Sequence, residues 1–294
     1  MSFMNWFSQA VVLAAGGRKR WSDPQRCKEY IEQCREIAAS PTKPYRGVRS
    51  KISKKEIGGA EVFFLGRSDE SCMLYFHGGS YVEQPVMQHW QFCDKVARQT
   101  GCMVAFSVYP KAPAHNYREV YDHAVTLYQE LLKEYGADHI YIAGDSAGGG
   151  LVLGLAQYLK TLGLPQPKRL IMISPWLDAS VEFPYPEFYD KRDVVLSTYG
   201  LRQAAESYAA GTDLKDPRIS PLFGDSSELA PMTVFFGGYE RFVEDGRKWL
   251  AELKEKGIDV DYRECPKQPH CCVLYPTPEA AKEQKYIIEL MKND

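Results

Sequence analysis

The sequence predicts an α/β fold in which helices flank a mostly parallel sheet and further helices cap it. Three observations lead there. Short apolar runs alternate with amphipathic helical patterns from residue 61 onward. Most of those runs are apolar throughout rather than at every second position, as strands covered on both faces are. A helical stretch of different character precedes them.

Taken in chain order, residues 3–15 and 24–39 carry helical patterns, and a connection rich in Pro, Lys and Arg follows over 41–55. Tyr45 is the only aromatic residue of that basic run, so it reads as a solvated linker rather than a polyanion site. Residues 1–50 are therefore expected to form an N-terminal helical cap segment with its linker, and 51–294 the main domain. Strands are expected at 61–65, 73–76, 103–108, 140–143, 170–174 and 233–236, with a further candidate at 260–264. Between them, Val120, Ala124, Leu127, Tyr128 and Leu131 share one face of a helix, and Phe242, Gly246, Trp249, Leu250 and Leu253 one face of another. Residues 180–211, with Pro184, Pro186 and several aromatics, interrupt the alternation and read as a helical insertion over the sheet edge that contributes to the cap. Open parallel sheets hold ligands at the carboxyl ends of their strands, so the chemistry is sought just after each apolar run.

Composition narrows the function classes. A chain of 294 residues, 45% hydrophobic and 25% charged, suits one large globular domain. A net charge of −2 gives no reason to expect nucleic acid or an anionic membrane as partner. The eight cysteines, several beside or inside apolar runs, read as buried reduced thiols rather than a disulfide framework. No apolar run approaches the length of a membrane span. Residues 10–15 lack a preceding basic region, since Arg18 to Arg20 come after them, so a cytoplasmic location without a signal peptide is expected.

Chemistry concentrates at three places. The candidate strand 140–143 runs into Gly144-Asp145-Ser146-Ala147-Gly148-Gly149-Gly150 and then into a helical run, which gives a G-x-S-x-G pattern at a strand–turn–helix junction. A serine there sits on a sharp turn at a helix start, where positive potential favours a developing anion. The alternative is a Gly-rich packing turn with an idle serine. Upstream, the strand at 73–76 ends in His77-Gly78-Gly79-Ser80-Tyr81, where paired glycines let main-chain N–H groups face inward toward an oxyanion. A base is one reading of His77; a structural residue that holds the loop by hydrogen bonds is the preferred one. Downstream, a base and an acid are required. Among the six histidines, His270 follows a strand candidate late in the chain, in the order Ser, acid, His. Glu240, just past the strand at 233–236, is the chosen acid, and Glu244 and Asp245 read as a solvated helical face. His270-Cys271-Cys272 has no second Cys/His pair at matching spacing, so no metal is expected. No phosphate loop or dinucleotide fingerprint appears, and no cofactor is expected.

Together these motifs resemble the hormone-sensitive-lipase-like esterases of the α/β-hydrolase superfamily, over roughly residues 62–288. His77-Gly78-Gly79-Ser80 resembles the family's H-G-G-G segment, and Tyr109-Pro110-Lys111-Ala112-Pro113 its Y-x-L-A-P run with Lys111 in place of leucine. Gly144-Asp145-Ser146-Ala147-Gly148-Gly149 matches its G-D-S-A-G-G elbow, while Ser174-Pro175-Trp176-Leu177-Asp178 and Ser220-Pro221-Leu222 are similar to its structural landmarks. The resemblance implies an α/β-hydrolase fold, Ser146 as nucleophile, His270 as general base and acid, Glu240 as its orienting acid, and an oxyanion hole from the amides of Gly78, Gly79 and Ala147. It also implies an N-terminal helical cap. Ser80 stands where the third glycine is usual, and Glu240 where many relatives have Asp.

The expected substrate is a small ester of short acyl chain, with Tyr81 and Trp176 as bulky residues limiting acyl length; core packing is their competing role. Amide or peptide cleavage by the same triad, and a non-catalytic ligand-binding role, stay open. So does a homodimer. Phe3, Met4, Trp6 and Phe7 are read as a cap helix folding onto the substrate mouth rather than as a membrane anchor, because no basic polar face accompanies them.

Overall fold

A computed structural model describes residues 2–68, 70–182 and 187–294. In chain order the elements are α1 (Phe3–Ala14), α2 (Gly17–Ser22), α3 (Pro24–Ala38), β1 (Ile52–Ile57), β2 (Ala60–Leu65), β3 (Cys72–Phe76), α4 (Met87–Thr100), β4 (Met103–Val108) and α5 (Tyr117–Tyr135). There follow β5 (Ile140–Asp145), α6 (Ala147–Thr161), β6 (Arg169–Ile173), α7 (Glu187–Arg192), α8 (Thr198–Ala209), β7 (Met232–Gly237), α9 (Phe242–Glu255), β8 (Val260–Cys265) and α10 (Pro278–Asn293).

The eight strands form one sheet in the order β1-β2-β4-β3-β5-β6-β7-β8. The β1–β2 and β2–β4 pairs are antiparallel and all others parallel. The central strands are buried on both faces, and their side chains divide between two cores. Leu74, Ile142, Met172 and Val234 join the core packed by α5, α6 and α9. Met73, Tyr75, Ala143, Ile171 and Phe235 join the one packed by α4 and α10. Each such side chain contributes roughly 1.5–3 kcal/mol by leaving water, which is why these strands read as unbroken apolar runs.

Two elements depart from the sequence reading. Residues 52–57, of which 52–55 were assigned to the basic linker, form β1. This edge strand exposes Ser53, Lys54, Lys55 and Glu56, so no apolar alternation marks it. Charged side chains on an edge discourage pairing with another chain, and the same property disguised the strand. Lys54 also bonds Glu61 of the neighbouring strand at 2.8 Å. The second departure is α2, a six-residue helix too short and polar to carry a pattern.

Three helical segments lie over the carboxyl ends of the strands. Trp21 of α2 packs against Gly200 of α8 and edge-on against Tyr30 of α3, with ring centroids 5.4 Å apart. Ser22 Oγ and Ser197 Oγ are 3.0 Å apart. The two chain segments that precede and interrupt the alternation are therefore bound to each other. Pro184 and Pro186 lie outside the described residues.

Candidate active site

Each chemical group sits where a strand ends: the His77 loop after β3, Ser146 after β5, Ser174 after β6, Glu240 after β7 and His270 after β8. At the end of β5 the chain turns sharply into α6. Ser146 has φ 54° and ψ −121°, a conformation costly for a residue with a Cβ. Main-chain bonds hold it there: Ser146 N–H donates to Ile173 O at 2.9 Å, and Trp176 N–H donates to Ser146 O at 2.9 Å. Gly148 is obligatory at this turn, because a Cβ would collide with Phe76 O of the neighbouring strand.

Ser146 Oγ lies 2.8 Å from His270 Nε2, and His270 Nδ1 bonds Glu240 Oε2. Glu240 has no exposed surface, and its other oxygen accepts from Ser174 Oγ at 2.8 Å and Gly237 N–H at 2.6 Å. Ser174 Oγ also accepts from Cys271 N–H at 2.9 Å, so one hydroxyl ties the acid to the histidine loop. Gly237 is required here too: a Cβ would strike Pro269 O, and the loop carrying His270 passes directly over it. Burial works against a charged ring at His270, but the charge and hydrogen bond of Glu240, with Asp193 and Asp145 beyond, outweigh it and hold the imidazole pKa above its ordinary value. Burial pushes the Glu240 carboxyl upward, opposed by His270, Gly237 and Ser174.

The loop after β3 runs through three residues of positive φ, Gly79 (121°), Ser80 (54°) and Tyr81 (61°). The expectation for Gly78 is corrected: its N–H donates to Asp145 Oδ1 at 3.0 Å and is not free for an oxyanion. The main-chain N–H groups of Gly79, Ser80 and Ala147 have no partner among the described residues. Ala147 opens α6, where N–H groups have no partner one turn back. Ser80 stands where the resemblance expects a third glycine. A serine in the left-handed region still presents its main-chain N–H.

Asp145, which the motif carries beside the nucleophile, joins the parts. Its carboxylate accepts from Tyr75 OH at 2.6 Å and from Gly78 N–H, faces His89 Nε2 at 3.2 Å, and takes the Cys271 thiol at 3.7 Å. Val86 N–H donates to His89 Nδ1, which leaves the proton on Nε2, facing Asp145. Burial alone would raise the Asp145 pKa, but His89 and Tyr75 outweigh it and hold it at about 2. The carboxylate thus ties the loop after β3, the turn at Ser146, α4 and the loop carrying His270 together. No local pattern marks His89 for this role; the charge that the motif places at the strand end is the one signal for Asp145. His77 stacks on Tyr109 at 4.6 Å and bonds Gly78 O at 2.6 Å, in keeping with its structural reading. Burial first, then Lys111 and His89, hold its ring neutral.

Tyr81 and Trp176 do not line the cavity, which corrects their expected role. They are 2% and 1% exposed and belong to a ring column, Phe242–Trp176–Tyr81–Tyr208, with centroids 5.9, 5.9 and 3.8 Å apart. Burying four rings between the sheet end and α8 outweighs placing them at a wet mouth. The cavity above Ser146, about 380 Å³, is lined instead by cap residues such as Val12, Trp21, Val194, Leu196 and Leu201, and by His89, Asp145 and His270.

With this geometry in place, similarity to known proteins decides the family. Residues 73–274 match the model of the alpha/beta hydrolase fold family. The chain belongs to that family. An acetyl-hydrolase of Streptomyces hygroscopicus is 32% identical over 205 residues, covering 69% of each chain. An esterase of Acinetobacter venetianus is 29% identical over 82% of this chain and 78% of its own. A crystal structure of an esterase from the bacterial hormone-sensitive lipase family superposes with a TM-score of 0.79 at 26% identity, covering 92% of this chain and 99% of that one. A Staphylococcus aureus crystal structure reaches a TM-score of 0.91 at 26% identity, covering 96% and 99%. This hydrolase therefore sits among proteins named for action on ester bonds, and an esterase of the bacterial hormone-sensitive lipase family is among the structures it resembles.

Proposed function

We propose that this chain is a serine carboxylesterase that hydrolyses small, short-acyl esters through an acyl-enzyme intermediate. The observation that carries the reading is the hydrogen-bonded line Ser146–His270–Glu240, set beside three unpartnered main-chain donors. Ser146 Oγ attacks the ester carbonyl while His270 Nε2 takes its proton. The carbonyl oxygen becomes an oxyanion facing the N–H groups of Gly79, Ser80 and Ala147, each donor of this kind being worth about 3–4 kcal/mol in the transition state. His270 then protonates the departing alcohol, and the acyl group stays on Ser146. A water, deprotonated by His270, attacks the acyl-enzyme, and collapse returns the serine and releases the acid. Glu240 stabilises the imidazolium in both halves.

The name of one relative, acetyl-hydrolase, supports a small acyl group. So does the cavity, which at about 380 Å³ lies near the small end of ligand pockets. A rate series on p-nitrophenyl esters of rising chain length tests the proposal, with Ser146→Ala as control. Acetate and butyrate are expected to turn over fastest, and the variant to be inactive. Fastest turnover of long chains would end the short-acyl reading, and an active Ser146→Ala would end the serine mechanism.

A further inference from the structure

We infer that α1 is a docking surface for an anionic phospholipid bilayer. The helix is turned inside out relative to an ordinary surface helix. Its inner side carries Asn5, Ser8, Gln9 and Val12, with Asn5 fully buried and its Oδ1 accepting from Gln9 Nε2 at 3.3 Å. Its outer side carries Phe3 (74% exposed), Trp6 (56%) and Phe7 (50%), together with Met4, Val11 and Leu13. The three rings cluster, Phe3 lying 6.0 Å from Trp6 and 6.4 Å from Phe7. Polar contacts fix this orientation: Ser2 N–H and Oγ bond the Glu279 carboxylate of α10 at 2.6 and 2.7 Å. Six large apolar side chains along a helix roughly 18 Å long form a continuous patch, not the scattered exposure that surfaces tolerate.

Charge selects the occupant. No Asp or Glu lies between Ser2 and Ser22, while Arg18, Lys19 and Arg20 follow the apolar helix directly. The expectation drawn from the net charge of −2 averaged this local cluster away, and the basic residues that α1 lacks follow in α2. A second copy of the chain would meet the patch with a cluster of like sign; an anionic bilayer takes up the rings and attracts the exposed Lys19 and Arg20, the latter stacked on Tyr30 at 3.5 Å. The mouth lies next to both, since Val12, Gly17, Arg18 and Arg20 line the cavity above Ser146. Docking through α1 therefore presents the site to esters held at a lipid surface. No helix of the described residues is long and apolar enough to cross a membrane, so attachment is peripheral.

Co-sedimentation with phosphatidylglycerol–phosphatidylcholine vesicles, set against pure phosphatidylcholine, tests this without relying on the hydrolytic reading. The full chain is expected to sediment with the anionic vesicles at low salt and to be released at high salt. The triple variant Phe3→Ser, Trp6→Ser, Phe7→Ser should bind at least about tenfold more weakly. Lys19→Glu, at an exposed residue outside the cavity wall, should weaken binding several-fold at low salt while leaving far-UV circular dichroism, thermal midpoint and p-nitrophenyl acetate hydrolysis unchanged. That variant decides the matter even if the triple variant does not fold. A wild-type chain that stays in the supernatant, binds neutral vesicles equally well, or binds undiminished after both changes overturns the inference. A dimer that the triple variant disperses, without vesicle binding, assigns the face to a second copy instead.

Discussion

The floor of the cavity and its roof are specified to very different degrees. On the floor, Ser146, His270 and Glu240 are buried, and Asp145 and Ser174 make several hydrogen bonds each to the loops that carry them. The turns around them exclude a single added methyl at Gly148 and Gly237. On the roof, Val12, Val194 and Leu196 meet the cavity through apolar contact alone, which depends on volume rather than direction. On the proposed mechanism the floor sets where charge develops and the roof how large a group fits. Substitution on the floor should therefore alter rate by orders of magnitude, and on the roof only preference.

The sharpest break in that comparison comes at the floor. Ser146→Ala or His270→Ala should lower kcat by about 10⁴–10⁶-fold, read from p-nitrophenyl acetate hydrolysis with the fold checked by circular dichroism. Glu240→Gln should cost roughly 10²–10⁴-fold, because the imidazolium loses its counter-charge. It should also move the acid limb of the kcat/KM profile. In the wild type the raised His270 pKa places loss of activity, as pH falls, above the ordinary histidine value, since only the neutral ring accepts the serine proton. Without Glu240's charge the limb should shift to lower pH; an unmoved limb would remove Glu240 from the triad.

A smaller effect is expected at Lys111, where leucine is usual in related motifs. The ammonium is buried, donates to Tyr109 O at 2.8 Å, and burial lowers its pKa to about 7. Unfolded, it titrates near 10.4, so the unfolded state binds the extra proton between about pH 7 and 10. The cost to stability is full below pH 7 and fades as pH rises through that window. Lys111→Leu should therefore stabilise the chain by on the order of 1–3 kcal/mol at pH 6, measured by urea unfolding, and by less at pH 9.5. The smallest effect belongs to the roof. Val195→Ala, at a half-buried residue of the cavity wall, should shift the preferred acyl length with a roughly 2–10-fold change in relative kcat/KM and little change in kcat on acetate.

The same division sets what was legible in the sequence. Strands β2 to β7 announced themselves because both of their faces are covered, and the elbow because strand, glycine turn and helix follow one another locally. The edge strand β1 did not, since its lysines and glutamate face solvent. Contacts between distant segments were harder still. Nothing local shows that Gly78 N–H is taken by Asp145, which leaves Ser80 to supply a donor. Nor does any spacing reveal that Tyr81 and Trp176 close a column with Tyr208 and Phe242, rather than facing a ligand. Chain order points to His270 and Glu240, but the hydroxyl of Ser174 that joins their loops belongs to the fold alone.

Labelling with a fluorophosphonate, followed by peptide mass mapping, tests the central claim most directly. One adduct is expected, on Ser146, formed rapidly by the wild type and far more slowly after His270→Ala. A wild-type chain left unlabelled, or labelled at another residue with Ser146 untouched, would contradict it.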